Sequence, residues 1–475
     1  MIRTTWPWGR VHFVGIGGAS MSGIARVLLA EGVDVSGCDP QRNAATDRLE
    51  ALGARIRSGQ DASHIALEHP DAVIVTAAVP MSSPEVQAAI AAGCAVLTRA
   101  EALGRLMETA PEPRIGVTGT HGKTTTTAML AAVLIAADRD PAVHIGGEFA
   151  PIGGNVRLGD GCFLTEACEA YDSFLSLRPT LAVLTSIEPD HLDYYGTQER
   201  MEESFREFVR SVPKHGAVVV CGDDPGARRL AGSVADDVAR LVIYGIESAD
   251  AEVRGSEPIA FRGGMRFIVT TPEAPEGVEA QLRVPGRHNV LNALACVAAA
   301  REAGVPLQTT LAALEQFQGA GRRFERLGEV GGADVYDDYA HHPTEITATI
   351  RAAREALPDR RLLLLFQPHL YSRTRDFLNE FADALAGADV VLVNDIYPAR
   401  EAPIPGVTSA ALVRAMAQRK PTAHVLYVPS QQEALDTLRW LTRPGDVVMT
   451  MGAGDIRAVG EALVRSSDEA PATGF

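Results

Sequence analysis

The stretch PRIGVTGTHGKTTTTAMLAAVLIAAD, residues 113–138, constrains the fold more than any other part of the chain. A short β-branched strand over 115–118 runs into a glycine loop, and the spacing predicts a helix that begins within the threonine run. A strand, tight loop and helix in that order belong to α/β architecture, where helices lie on a mostly parallel sheet. Gly119 and Gly122 let backbone N–H groups turn inward around an anion, and the helix N-terminus adds partial positive charge. A plain strand-to-helix turn needs one glycine and no Lys-Thr-Thr-Thr run. The stretch therefore predicts a phosphate site formed by Gly119, Thr120, His121, Gly122, Lys123, Thr124 and Thr125. Lys123 would reach the outer phosphates and the Thr124 hydroxyl a magnesium ion. The usual pattern of such loops has a further glycine five positions before Gly122, where this chain has Val117.

The same strand-then-helix rhythm runs along the chain, and 475 residues suggest about three domains. RVHFVGIGGASMSGIARVLLAEGVDVSGCD (10–39) reads as a strand, a glycine-rich turn, a helix and a second strand ending in Asp39. Gly15 and Gly17 fit a dinucleotide fingerprint, but its third glycine position holds Ser20, which disfavours a nicotinamide cofactor. The turn suits another diphosphate, and Asp39 either contacts a ribose or base or serves as a turn residue. This segment runs to about residue 107.

In the second segment, GCFLTEACEAYDSF (161–174) places Glu166 just beyond an apolar run, and LAVLTSIEPDHLDYYG (181–196) carries Asp190 and His191 past another. In an open parallel sheet, ligands sit beyond the carboxyl ends of strands. Three strands then deliver Lys123 and Thr124, Glu166 and His191 to one edge, a plausible magnesium site. Residues 240–286 alternate between turn-rich stretches and read as a small β subdomain. In PGRHNVLNALACVAAAREAG (285–304), Asn289 and Asn292 lie three apart and share a helix face, as caps or as contacts to a base or phosphate. A third α/β segment starts near residue 319. Its Asp337, Asp338, His341 and His342 resemble a metal cluster, but Pro343 breaks the chain there and a solvated loop is expected.

GIGG…MSGIA, TGTHGKTTTT, EACE, IEPDHLDYYG, GRHNVLNALA, RRFE, DDYAHHPTEI, FQPHLYSRT and GAGDI occur in that order over nearly the whole chain. The set resembles the Mur ligases of bacterial cell-wall synthesis, most closely their alanine-adding branch, and TGTxGKT is that family's own form of the phosphate loop. The resemblance implies three α/β domains: a Rossmann-like UDP-sugar domain (1–107), a central ATPase domain with a small β subdomain (108–318) and a Rossmann-like closing domain (319–475). It implies ATP and Mg2+, with UDP-N-acetylmuramate and L-alanine joined through an acyl phosphate, as a monomer or homodimer. Mapped onto this chain, Lys123 stabilises the transferring phosphoryl group. Thr124, Glu166 and His191 hold magnesium, Glu166 as the bridge between two ions. Asn289 and Asn292 line the ATP site, Arg323 reaches the phosphates on closure, and Asp338 contacts the ATP ribose. Tyr339, His341 and Arg373 fall where relatives hold the amino acid, and Gly15, Gly17, Gly18, Ser22 and Asp39 on the UDP-sugar loop.

Some positions depart from the family's pattern. Ser20 replaces a frequent glycine, SSPE (82–85) a frequent Asn-Pro-Glu, and Leu370 an arginine present in some relatives, leaving Arg373 as the better carboxylate partner. Glu166 is preferred over Glu169 because it precedes His191 by the family's spacing. Within the family, the rival is the recycling ligase that adds a stem tripeptide; GIGGASMSGIA and Tyr339 favour the alanine branch.

The bulk composition agrees. A net charge of −16 argues against nucleic acid or an anionic membrane as partner. The longest apolar run near a helix, AMLAAVLIAA (128–137), is far short of the ~20 residues that span a bilayer. No signal peptide is evident after MIRTTWPWGR, and the six cysteines form no CxxC pair, which predicts free thiols in a reducing cytoplasm.

Overall fold

Strands of four to nine residues, the central ones short aliphatic runs, build three sheets in the computed structural model, which describes residues 6–261, 263–399, 401–419 and 424–468. The first sheet contains β1 (Arg10–Val14), β2 (Asp34–Asp39), β3 (Arg55–Ser58), β4 (Ala72–Val75) and β5 (Ala95–Thr98), all parallel, in the order β3-β2-β1-β4-β5. Helices α1 (Ala19–Ala30), α2 (Ala44–Ala51), α3 (Ser63–Glu68) and α4 (Pro84–Ala91) make the four crossovers, and α5 (Arg99–Thr109) leads on to the next sheet. Caps define their starts: Asn43 and Thr98 each accept from backbone N–H groups of the first turn and complete capping boxes.

The second sheet has ten strands. It is built from β6 (Arg114–Thr118), β7 (Ala142–Phe149), β8 (Gly154–Arg157), β9 (Phe163–Glu166), β10 (Leu181–Leu184), β11 (Ala217–Cys221), β12 (Leu241–Gly245), β13 (Val253–Phe261), β14 (Gly264–Thr271) and β15 (Ala274–Leu282). Its order is β15-β14-β13-β12-β11-β10-β6-β9-β7-β8. The turn-rich stretch 240–286 thus continues this sheet: β12 pairs in parallel with β11, and β13 follows it. Helices α6 (Lys123–Ala136), α7 (Leu192–Tyr195), α8 (Gln198–Arg210), α9 (Pro225–Val234), α10 (Arg287–Glu302) and α11 (Leu307–Glu315) accompany it. Strand β10 is buried at every position, as expected of a parallel strand covered on both faces.

The third sheet runs β16-β17-β21-β18-β19-β20, from β16 (Glu325–Val330), β17 (Ala333–Asp338), β18 (Leu362–Phe366), β19 (Val390–Val393), β20 (His424–Tyr427) and β21 (Val447–Met451). Only β16 is antiparallel to its neighbour. Helices α12 (Pro343–Ala356), α13 (Tyr371–Asp376), α14 (Leu378–Leu385), α15 (Ser409–Arg419), α16 (Gln431–Leu441) and α17 (Arg457–Asp468) cover it. One core packs Leu362, Leu364 and Phe366 of β18 against Phe381 and Leu385 of α14; the other packs Leu363 and Leu365 against Leu435, Leu438 and Leu463. Two compact units result, one of residues 1–256, 268–278 and 291–316, the other of 257–267, 279–290 and 317–475. Among the described residues, no helix is long and apolar enough to cross a membrane.

Candidate active site

In the ten-stranded sheet, β6 lies between β9 and β10, and the three run parallel. Their carboxyl ends therefore open on one edge, and that edge carries the glycine loop, Glu166 and the segment leading to His191. Helix α6 starts on Gly122 at φ 83, and no side chain caps its first turn, so its leading N–H groups are available to an anion. The loop is fastened to the segment after β10. Thr120 N–H donates to the Ser186 carbonyl at 2.9 Å, His121 N–H to Ser186 Oγ at 2.9 Å, and Glu188 N–H to Thr120 Oγ1 at 2.9 Å. A side chain at Gly119 would collide with Thr185 Oγ1, and one at Gly122 would come within 2.5 Å of Asn292 Oδ1. These two glycines are dictated by close approach as well as by their positive φ.

Lys123 folds back over its own loop. Its ammonium donates to the Gly119 carbonyl, to the Thr120 carbonyl at 3.0 Å and to Glu169 Oε1 at 2.9 Å. Burial works against the charge, but Glu169 outweighs it and the pKa rises above the usual lysine value. Lys123 is thus a cation held at the mouth of the loop. Glu169, set aside in favour of Glu166 on spacing, is the carboxylate that touches it. Its exposure is 2%. Glu166 ends β9 and accepts the Gly146 N–H at 2.8 Å.

A Cβ added at Gly146 would lie 2.7 Å from Glu166 Oε2, and one at Gly147 would lie 3.2 Å from Thr124 Cγ2. Thr124 and Glu166 therefore flank one diglycine of β7 and present a hydroxyl and a carboxylate, which are hard oxygen donors suited to Mg2+. His191 follows β10 in the left-handed region (φ 52) as the residue before α7, with its Nε2 3.8 Å from Asp190 Oδ2. Thr125 is buried in the first turn of α6. Asn292 Oδ1 accepts from Thr126 Oγ1 at 3.3 Å, which fixes it against the loop. Asn289, one turn earlier on α10, donates its amide to the Pro285 carbonyl at 2.7 Å.

The second unit assembles its own cluster. Tyr339 lies under two guanidinium groups, Arg322 at 4.9 Å and Arg323 at 5.0 Å from its ring centroid. His341 meets the Tyr339 ring edge-on at 5.3 Å and the His369 ring at 5.9 Å, and Arg373 Nη1 lies 3.4 Å from His369 Nδ1. Tyr339, His341 and Arg373 thus come together through His369, which sequence reading missed. His369 stands four residues before Arg373, a spacing that already signalled a shared turn. Tyr397, stacked on His369 at 5.7 Å, gave no such signal.

The expected solvated loop at 337–342 is corrected here. Asp337 and Asp338 are buried at the end of β17, and buried His342 caps α12. Asp338 accepts from Phe324 N–H and Ala340 N–H, each at 2.8 Å. Burial pushes its carboxyl up to about 6 against the opposing pull of Arg323.

In the first sheet, Gly15 (φ 85) and Ile16 donate N–H groups to the Cys38 carbonyl at 2.9 and 3.0 Å, and Asp39 Oδ2 accepts the Gly17 N–H at 2.9 Å. Asp39 therefore pins the turn that holds Gly15, Gly17 and Gly18. Ser22 is buried in α1 with its hydroxyl donated to the Ala19 carbonyl at 3.0 Å. Ser20, where the dinucleotide pattern wants glycine, lies 2.9 Å from His144 Nε2 of β7 and accepts from Arg99 Nη1 at 2.9 Å.

Models of three protein families match in register with the sheets: Mur ligase family, catalytic domain, at residues 10–110; Mur ligase middle domain at 162–300; and Mur ligase, glutamate ligase domain, at 322–454. A UDP-N-acetylmuramate–L-alanine ligase of Renibacterium salmoninarum is 46% identical over 96% of this chain and 95% of its own. The chain belongs to the Mur ligase family. Among solved Mur ligases, the UDP-N-acetylmuramate–alanine ligase of Thermotoga maritima superposes with a TM-score of 0.81 at 29% identity, covering 97% of this chain and 99% of that one. A murein peptide ligase of Psychrobacter arcticus gives 0.71 at 26% identity, covering 98% and 100%.

Proposed function

We propose that this Mur ligase joins L-alanine to the lactoyl carboxylate of UDP-N-acetylmuramate at the expense of ATP, in peptidoglycan precursor synthesis in the cytoplasm. The substrate pair rests on the 46% identity to a ligase of that name over nearly the full chain. The phosphoryl-transfer half rests on one observation: Lys123 sits charged in an uncapped helix-start loop flanked by the ends of β9 and β10.

A carboxylate is a poor electrophile. Its oxygen attacks the γ-phosphorus and ADP departs; the L-alanine amine then attacks the acyl carbon. Phosphate leaves as the amide forms and the amine gives up its proton. This chain's task is to position the partners and neutralise charge on the phosphoryl oxygens. Lys123 does so by exchanging the carbonyls of Gly119 and Thr120 for phosphate oxygens while Glu169 keeps it aimed. Thr124, Glu166 and His191 would hold magnesium, which would supply further charge neutralisation. Gly119 to Thr125, Asn289 and Asn292 line the nucleotide, Asp338 faces its ribose, and Arg323 approaches the phosphates. Tyr339, His341 and Arg373 receive L-alanine, with Arg373 as partner of its carboxylate. Gly15, Gly17, Gly18, Ser22 and Asp39 form the UDP-sugar turn. In this reading residues 1–107 bind the UDP-sugar, 108–318 ATP, and 319–475 the amino acid.

The test is phosphate release from ATP and Mg2+ with UDP-N-acetylmuramate, offering L-alanine, glycine, L-serine or the stem tripeptide. Release strongest with L-alanine is expected. Release with the tripeptide only would move the enzyme to recycling, and release with none would refute the reaction.

A further inference from the structure

Between the first sheet and its helices α3 and α4 lies a polar cluster inside an apolar layer. His12 of β1, Cys38 of β2, His64 of α3 and Glu85 at the start of α4 are all buried. Val14, Ile65, Val73, Val75, Val86 and Ala89 pack in the same core as Cys38. One ligand atom from each of the four residues lies within 4.8 Å of every other.

Glu85 is the centre of the cluster. Oε1 lies 3.0 Å from His12 Nε2 and 2.9 Å from His64 Nδ1, and Oε2 accepts from Cys38 Sγ at 3.1 Å. Its exposure is 0%, yet among the described residues no lysine or arginine contacts it. An ionised carboxylate so placed needs a compensating cation.

We infer that His12 Nε2, His64 Nδ1, Cys38 Sγ and a Glu85 carboxylate oxygen form a closed, structural site for Zn2+ or a similar borderline-soft divalent ion in the first domain. Two imidazoles, one thiolate and one carboxylate are a complete tetrahedral donor set. At zinc bond lengths the donors of a tetrahedron stand about 3.3–3.8 Å apart, so shifts of about an ångström seat the ion. The outer shell is already present: His12 Nδ1 lies 2.9 Å from Ser36 Oγ, which fixes the ring with Nε2 toward the centre. Without metal the Cys38 thiol keeps its proton, which it donates to Glu85 Oε2. Binding forms a Zn–S bond and releases that proton to solvent. The charges of the ion, one thiolate and one carboxylate then cancel, which suits the apolar layer. All four positions are buried, so no coordination site is left open for chemistry. The Cys38 carbonyl also accepts from Gly15 and Ile16, so the ion would stiffen the turn directly above it.

The test measures bound metal in the full-length protein produced in zinc-supplemented medium and purified without chelator in excess Mg2+. About one zinc per chain is expected, falling to background in Cys38→Ser. Cobalt-grown protein should show a thiolate-to-cobalt charge-transfer band, lost in Cys38→Ser and kept in Cys168→Ser, whose thiol lies by Lys123. If Cys38→Ser does not fold, His64→Asn decides, with at least a 10-fold loss of metal affinity expected. Zinc at background in the unmodified chain, or a cobalt band that survives Cys38→Ser, would overturn the site and leave the cluster as a hydrogen-bonded core network. Neither outcome bears on the ligase reading.

Discussion

At the scale of single residues, the glycine loop proposed to hold phosphate depends on two kinds of exactness: space and charge. Gly122→Ala places a methyl against Asn292 Oδ1 and forces a left-handed residue to carry a Cβ. It should cut ATP turnover at least 10-fold while far-UV circular dichroism stays unchanged; unaltered kinetics would mean that the loop has room to spare. Lys123→Ala removes the cation and should cost about 100-fold or more in kcat under saturating Mg2+, the order found when one transition-state charge partner is lost. Both residues were singled out by the sequence, because glycine and lysine at that spacing have few other uses. Glu169 was not. It precedes a 3-10 segment in which Tyr171 and Asp172 are left-handed, a local bend that no periodicity announces.

At the scale of elements, the adjacent arginines of RRFE do different work. Arg322 reaches across β17, donating to Asp337 Oδ2 at 3.0 Å and to the carbonyls of Gly452 and Gly454 at 2.7 and 3.2 Å. Both guanidinium groups lie over Tyr339, but Arg322 is also tied down by these hydrogen bonds, whereas Arg323 is placed by the ring. Arg322→Ala should lower the stability of the second unit by about 2–3 kcal/mol, because among the described residues buried Asp337 keeps only the more distant Arg457 as a cation. Arg323→Ala should leave the urea midpoint nearly unchanged and slow turnover at least 10-fold, with UDP-sugar affinity retained. Equal effects of the two substitutions on stability and rate would defeat this division. The motif itself marked Arg323, whereas the role of Arg322 depends on partners about 130 residues away that become neighbours only once β17 pairs with β21. Sequence likewise predicted the strand and helix order well, since each apolar run ends in a glycine or polar turn. The attachment of β13 to the parallel sheet was not readable, because turn-rich alternation fits a separate subdomain equally well.

At the scale of the whole molecule, two histidines, buried His144 and half-buried His288, make stability sensitive to acid. Burial first, and then Arg99, depresses the His144 pKa to about 4; burial and Arg323 do the same for His288, also to about 4. Unfolded chains bind these protons near pH 6.5, the folded protein only near 4. The stability is therefore complete above 6.5 and is lost as pH falls toward 4, by roughly 3 kcal/mol for each histidine. Urea midpoints between pH 7 and 4 should fall less steeply in His144→Asn; an identical slope would mean that His144 is charged in the fold.

The path of the chain through its two compact units has a consequence for inheritance. The polypeptide passes from one unit to the other five times, at 256/257, 267/268, 278/279, 290/291 and 316/317. A gene fragment beginning at 317 would leave behind 257–267 and 279–290, which belong to the same unit. Neither unit can be transplanted by a single splice. Exchange of parts between relatives should then succeed at the junction near residue 110, after the first sheet, where the chain does not interleave, and fail at 316.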